Sequence, residues 1–240
     1  VTAAILIGLG VLAVAPPANG TSAALPVPTA PPAAVIREME NIILVGDFSE
    51  GLDGTVPRSW ELDDKKEPIS ISLSSEGVDW AVEMASSNSA FGIYRELDFN
   101  LKHHPYLNWE WKVEELPRGG NFLDPETDDQ AGQVYISFGS LSFLNKPFVK
   151  AVGYYWSSTA PVGTSGPCPT WGKSRVIVLK SGPEKLGEWV REKRNVYQDY
   201  LDLFDGEKPE RVSALRLYTN SQHSGSGTRV SFRNIYFSKE

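Results

Sequence analysis

The sequence is poor in the residues that most metal and nucleophilic centres need. Among 240 residues there is one cysteine, Cys168, and there are three histidines. A single thiol excludes an internal disulfide and any cysteine-cluster metal site, and three imidazoles leave little room for a zinc centre of the usual kind. His103 and His104 are adjacent, so on a strand they face opposite ways and cannot chelate together; Pro105 beside them marks a turn. Basic charge is short as well. With 23 Lys and Arg against 30 Asp and Glu the net charge is -7, so no basic stripe exists to displace counterions, and nucleic acid is not expected as a partner. No stretch reads G-x-S-x-G or H-E-x-x-H, and no Gly-rich phosphate loop leads into a helix.

What is present is organised in three parts. Residues 1–15 (VTAAILIGLGVLAVA) form an uncharged apolar run. The run falls short of the ~20 residues of a membrane-spanning helix and fits the apolar region of a signal peptide. Ala13-Val14-Ala15 has the small-x-small form of a cleavage site, but Pro16 follows it, so Ser22-Ala23-Ala24 competes. We read residues 1–24 as a signal peptide with a truncated start, which predicts a secreted or periplasmic protein with no stable membrane span after cleavage. Residues 16–34 hold six of the seventeen prolines, interleaved with Ala, Ser and Thr. Such a segment cannot build a core, so residues 25–41 are expected as an extended linker and 42–240 as one folded domain.

From residue 42 onward, apolar and polar residues alternate with period two, and helical periodicity is nearly absent. Ile69, Ile71 and Leu73 alternate with serines; Val78, Trp80, Val82 and Met84 with Asp79, Ala81 and Glu83; Leu107, Trp109, Trp111 and Val113 with Asn108, Glu110 and Lys112. Val134, Ile136 and Phe138 stand against Gln133, Tyr135 and Ser137. Similar runs occur at 43–48, 91–99, 151–157, 174–180, 187–194, 211–219 and 229–237. About a dozen short strands separated by Gly, Pro, Asn and Ser predict an all-β fold, an antiparallel sandwich of jelly-roll or galactose-binding-like type, with one short helix at 196–204. In the last strand Val230 and Phe232 are out of phase with Ile235 and Phe237, and a bulge near Arg233-Asn234 would return both pairs to the core. Three long loops, 116–131, 158–173 and 219–228, are where a rigid sheet scaffold usually carries function.

Five stretches, LNWEWKVEELPRGGNF, ETDDQAGQVYISF, VGYYWSSTAPVGT, EWVREKRNVYQDY and ALRLYTNSQHSGSG, occur in that order. Together they resemble the domain of unknown function 3047 family of bacterial secreted proteins, from about Val45 to the C-terminus. The resemblance implies an exported, single-domain, β-rich protein and leaves its chemistry open.

Several constellations are candidates for chemistry. Asp124, Glu126, Asp128 and Asp129 are hard oxygen donors at close spacing, and a structural calcium on Asp124, Glu126 and Asp128 is the one cofactor this pattern admits; a solvated acidic turn accounts for it equally. Glu110, Lys112, Gln133, Tyr135, Tyr154 and Trp156 would line one sheet surface if their strands are neighbours, and aromatics beside carboxylates and amides suit a sugar. Against this, Trp109, Trp111 and Trp156 can simply be core. Arg191 and Arg194 either pair with Asp128 and Asp129, hold an anionic ligand, or belong to a salt-bridged edge. Glu110 with Asp128 or Asp129 could form the acid–base pair of a glycan-cleaving enzyme, hydrolase or lyase. The reading favoured is non-catalytic binding of a carbohydrate or cell-envelope polymer, with protein–protein adhesion as a further alternative.

Overall fold

Alternation sorts each strand into an inward and an outward row, and the inward rows make the fold. In the computed structural model, residues 38–39, 41–140, 149–169 and 172–240 are described. The signal-peptide reading, and the linker apart from 38–39 and 41, lie outside them. Strands run as β1 (Glu38–Met39), β2 (Ile42–Gly46), β3 (Leu52–Asp53), β4 (Val56–Pro57), β5 (Glu61–Lys66) and β6 (Ser70–Glu76). Next come β7 (Asp79–Ser87), β8 (Ala90–Phe99), β9 (Tyr106–Glu115), β10 (Gly132–Phe138) and β11 (Lys150–Ser157). The last are β12 (Ser165–Pro167), β13 (Ser174–Ser181), β14 (Val190–Asn195), helix α1 (Val196–Leu203), β15 (Val212–Asn220) and β16 (Gly227–Ser238).

Two seven-stranded sheets form the jelly-roll sandwich. In the first, β16 is the spine: β9 and then β14 lie on one side, while the other side is shared by β7–β6 and β2–β1. The second runs β12-β13-β11-β10-β15-β8-β5. Pairing is antiparallel except between β11 and β13, which run parallel. The loop after β11 makes this possible: it passes to the sheet edge, returns as β12, and turns back into β13 between them. The chain crosses repeatedly between sheets, as from β7 to β8, β8 to β9, β9 to β10 and β15 to β16.

Between the sheets the large rings interlock. Trp109 of β9 stacks on Tyr154 of β11 at 5.3 Å between centroids, and Trp111 meets Trp156 at 5.7 Å. Trp109 and Trp111 also touch edge to face at 5.5 Å, and all four side chains are buried. Aliphatic rows from β7, β8, β10, β15 and β16 complete the core. Each of these rings removes more apolar area from water than an aliphatic side chain. The indole N–H groups of Trp109 and Trp111 have no hydrogen-bond partner among the described residues, which offsets part of that gain.

The expected bulge in β16 is present. Pairing with β9 slips between Arg233 and Tyr236, Asn234 takes φ 53°, and Val230, Phe232, Ile235 and Phe237 all point into the core. Helix α1 begins where Asn195 accepts the Gln198 N–H at 3.0 Å, and it buries Val196 and Tyr200. Among the described residues no helix is long and apolar enough to cross a membrane.

Two stability outcomes follow from this packing. Trp111→Ala should cost about 3–5 kcal/mol in urea unfolding, and Trp111→Phe much less, because it keeps a ring and removes an unpartnered donor. Asn234→Gly should be tolerated, whereas Asn234→Val should lower stability by about 1–2 kcal/mol, since a β-branched residue resists the left-handed region.

Candidate functional site

The sandwich separates residues that the sequence reading grouped. β9 belongs to the first sheet and β10 and β11 to the second, so no single surface holds Glu110, Lys112, Gln133, Tyr135, Tyr154 and Trp156. Tyr154 and Trp156 share the inward parity of β11 and fill the core, which corrects their assignment to a ligand surface. Glu110 and Lys112 face outward from the first sheet, Gln133 and Tyr135 outward from the second.

On the first sheet the outward residues satisfy one another. Glu110 accepts from Arg191 at 3.1 and 2.8 Å and from Arg233 at 2.8 Å. Burial raises the Glu110 pKa, but the two arginines outweigh it, and the net shift is downward. Arg233 also lies over the Trp189 ring, 4.0 Å from its centroid, and Trp189 donates its N–H to Glu76 at 2.9 Å. Lys112 reaches Glu76 at 3.3 Å and Glu114 at 3.6 Å. Arg194 pairs with Asp199 of α1, which also accepts the Tyr154 hydroxyl at 2.6 Å. Neither arginine meets Asp128 or Asp129, so that expected pairing is corrected. This surface is a salt-bridged edge. Glu110 also lies five residues inside β9, about 16 Å at the usual rise per residue, from the end where the 116–131 loop leaves. The acid–base pair is therefore not assembled.

The second sheet's outer face is different. Two rows cross it from strand to strand. Glu61, Tyr94, Arg216, Tyr135, Gly153 and Val176 stand opposite one another in sequence across β5, β8, β15, β10, β11 and β13. The next outward row is Asp63, Gly92, Tyr218, Gln133, Tyr155 and Val178. The row between them, with Ile93, Leu217, Val134 and Tyr154, faces the core. Glycine alternates with tyrosine for a steric reason. A Cβ on Gly92 would run into the Tyr218 ring, and one on Gly153 would sit 2.7 Å from Tyr135. Each ring lies across its neighbouring glycine.

Polar partners fix these rings. Arg216 pairs with Asp63 and lies 5.3 Å from the Tyr94 ring centre, and the Tyr94 hydroxyl donates to Glu61 at 2.6 Å. Tyr135 donates to the Gln133 carbonyl at 3.0 Å, and its hydroxyl also meets that of Tyr155. Burial holds both tyrosines well above the ordinary phenol range. Gln133 donates to Asn220 at 2.8 Å, whose carbonyl also takes the Gln130 N–H at 2.7 Å. Tyr135 and Tyr155 are covered by Phe122, Ala160 and Cys168; Tyr155 lies 3.6 Å from the Cys168 sulfur. Tyr218 stays half-buried, between the Asp63–Arg216 pair and the Gln133–Asn220 amides.

Asp128 and Asp129 lie at the end of this face, both buried. Asp129 accepts the backbone N–H groups of His223 and Ser224 at 3.1 and 2.6 Å, with the His223 Nδ1 at 3.2 Å, and so pins the 221–226 loop. Asp124 instead caps the 3-10 turn Pro125–Thr127 through the Glu126 N–H at 3.0 Å. Among the described residues no three His, Cys, Asp or Glu gather as a metal site, so the calcium set Asp124, Glu126 and Asp128 is not assembled. A cavity of about 90 Å³ beside Phe48, Trp60 and Arg95 is far smaller than a usual ligand site. Of the residues on this face, the sequence reading named Gln133 and Tyr135 and did not name Asp63, Tyr94, Arg216, Tyr218 and Asn220. The signal it could have used is the Gly–Tyr alternation in Gly92-Ile93-Tyr94 and Gly153-Tyr154-Tyr155.

No curated protein matches the chain. A family 11 carbohydrate-binding module from Clostridium thermocellum, solved with a β-1,3-1,4-mixed-linked tetrasaccharide, shares 10% identity over 83% of this chain and 96% of its own, with a TM-score of 0.45. The xyloglucanase domain of NopAA, a type three effector from Sinorhizobium fredii solved with cellobiose, shares 15% over 75% of this chain and 93% of its own, TM-score 0.42. Likeness at this level says nothing of a ligand. A family model described as protein of unknown function (DUF3047) matches residues 58–236, and the chain belongs to that family.

Proposed function

We propose that this is an exported, non-catalytic binding protein for a carbohydrate or other cell-envelope polymer, and that the ligand lies on the outer face of the second sheet at Tyr218. One observation carries the reading: the half-buried Tyr218 ring lies across Gly92, flanked by the Asp63–Arg216 ion pair and the Gln133–Asn220 amides. A sugar ring presents an apolar C–H face and a rim of hydroxyls. An aromatic surface beside fixed planar polar groups matches both. Preorganisation adds to the fit, because the polar groups are already held by partners and lose little freedom when a ligand docks. Export rests on the apolar run and the proline-rich segment at residues 1–41.

Acid–base cleavage is not favoured. A general acid needs a raised pKa, and Glu110, on the sheet opposite Tyr218, is held low by its own sheet neighbours Arg191 and Arg233.

Three outcomes are expected. In isothermal titration or affinity electrophoresis against soluble envelope and plant polysaccharides, the wild-type chain should bind at least one, and Tyr218→Ala should weaken it by about tenfold, ~1.4 kcal/mol, with an unchanged circular dichroism spectrum. Gly92→Ala should also weaken binding by displacing the ring. No binding to any glycan, or full binding by Tyr218→Ala, contradicts the reading. Glu110→Gln should leave binding intact and alter only stability. Because the folded pKa of Glu110 lies below the unfolded one, its contribution is present above pH ~4.3 and fades as pH falls. The gap in urea midpoint between wild type and Glu110→Gln should therefore narrow from pH 7 to pH 3.

A further inference from the structure

The first sheet ends on β6, which pairs only with β7 among the described residues. A free strand edge offers unpaired N–H and C=O groups to any other strand, and proteins usually guard it with charge, proline or shortness. The remaining edges are guarded in these ways. β14 reads VREKRN, with Arg191 and Lys193 exposed. β5 reads ELDDKK, β12 is three residues that include Gly166 and Pro167, and β1 is two residues. β6 reads SISLSSE and has no charge before Glu76. Ser70, Ser72, Ser74 and Ser75 are exposed, while Ile71 and Leu73 are half-buried against the core.

From this contrast we infer that β6 is a dimerisation edge, pairing antiparallel with β6 of a second copy of this chain about a two-fold axis. The alternation restricts the register. An axis perpendicular to the sheet keeps both apolar faces on one side, so residues of like parity must stand opposite each other. Crossing at Leu73 is the arrangement that pairs all seven residues. Leu73 then meets its own copy, Ser72 meets Ser74, Ile71 meets Ser75, and Ser70 meets Glu76. No like charges are opposed, and the join covers Ile71 and Leu73 while it satisfies the free backbone groups. The segment is its own complement, which is why a second copy fits it.

Sedimentation velocity and light scattering on the full chain test this. The wild type should be a dimer at micromolar concentration. S72K together with S74K sets like charges opposite one another in both Ser72–Ser74 pairs and should give a monomer with an unchanged circular dichroism spectrum, melting lower than the wild type and no longer dependent on concentration. S72K with S74E sets opposite charges there and should restore the dimer. A wild type that is monomeric throughout, an S72K/S74K variant that stays dimeric, or an S72K/S74E variant that stays monomeric would each overturn the inference.

Discussion

Everything in this molecule depends on the ring contacts between the two sheets. Trp109 against Tyr154 and Trp111 against Trp156 fasten β9 to β11 across the core, and they fix the parity of both strands. Once those four rings point inward, the identity of every outward residue on the two strands is decided. Glu110 and Lys112 must point away from the core on one side of the sandwich, and Tyr155 and Gly153 on the other, where Phe122, Ala160 and Cys168 cover Tyr155. Tyr154 and Trp156 thus have no part in any external surface.

The two outer faces are built on different physics. The first sheet spends its outward positions on charge: Glu76 and Glu110 pair with Lys112, Arg191 and Arg233, and Trp189 is occupied by Arg233. Such pairs shape a surface and contribute modestly to stability. The second sheet spends its outward positions on tyrosine and glycine, with one arginine and its carboxylate partner among them. Tyr218 and Tyr135 sit against Gly92 and Gly153, Tyr135 and Tyr155 meet edge to face beneath Phe122, Ala160 and Cys168, and the surrounding amides and charges are held in place by hydrogen bonds. Concentrated acid in the 124–129 loop turns out to organise backbone, since Asp124 caps a turn and Asp129 holds the 221–226 loop.

Period-two alternation made most strands legible, along with the helix face at Val196 and Tyr200 and the bulge at Arg233-Asn234. β5 was hidden because ELDDKK shows almost no apolar alternation; it is an edge strand whose pairing with β8 supplies the signal that its side chains do not. The parallel joint of β11 and β13 was hidden because strand order is a property of the whole chain. That same limit governed the site. Alternation assigned Glu110 and Tyr135 correctly to outward positions, but nothing local records that β9 and β10 lie in opposite sheets. Asp63, Tyr94 and Tyr218 are far apart along the chain and meet only through the register of β5, β8 and β15. Arg216 looked like an ordinary strand residue until its partner across 153 positions was known.

Bound as proposed, the ligand lies on the outer surface of the second sheet. Hydrogen exchange by mass spectrometry, with and without a bound oligosaccharide, reads this directly. Slowed exchange in residues 90–94, 132–135 and 216–223, with 107–113 and 190–195 unchanged, is the predicted result. Protection confined to 107–113 and 190–195 would place the ligand on the salt-bridged sheet and contradict it.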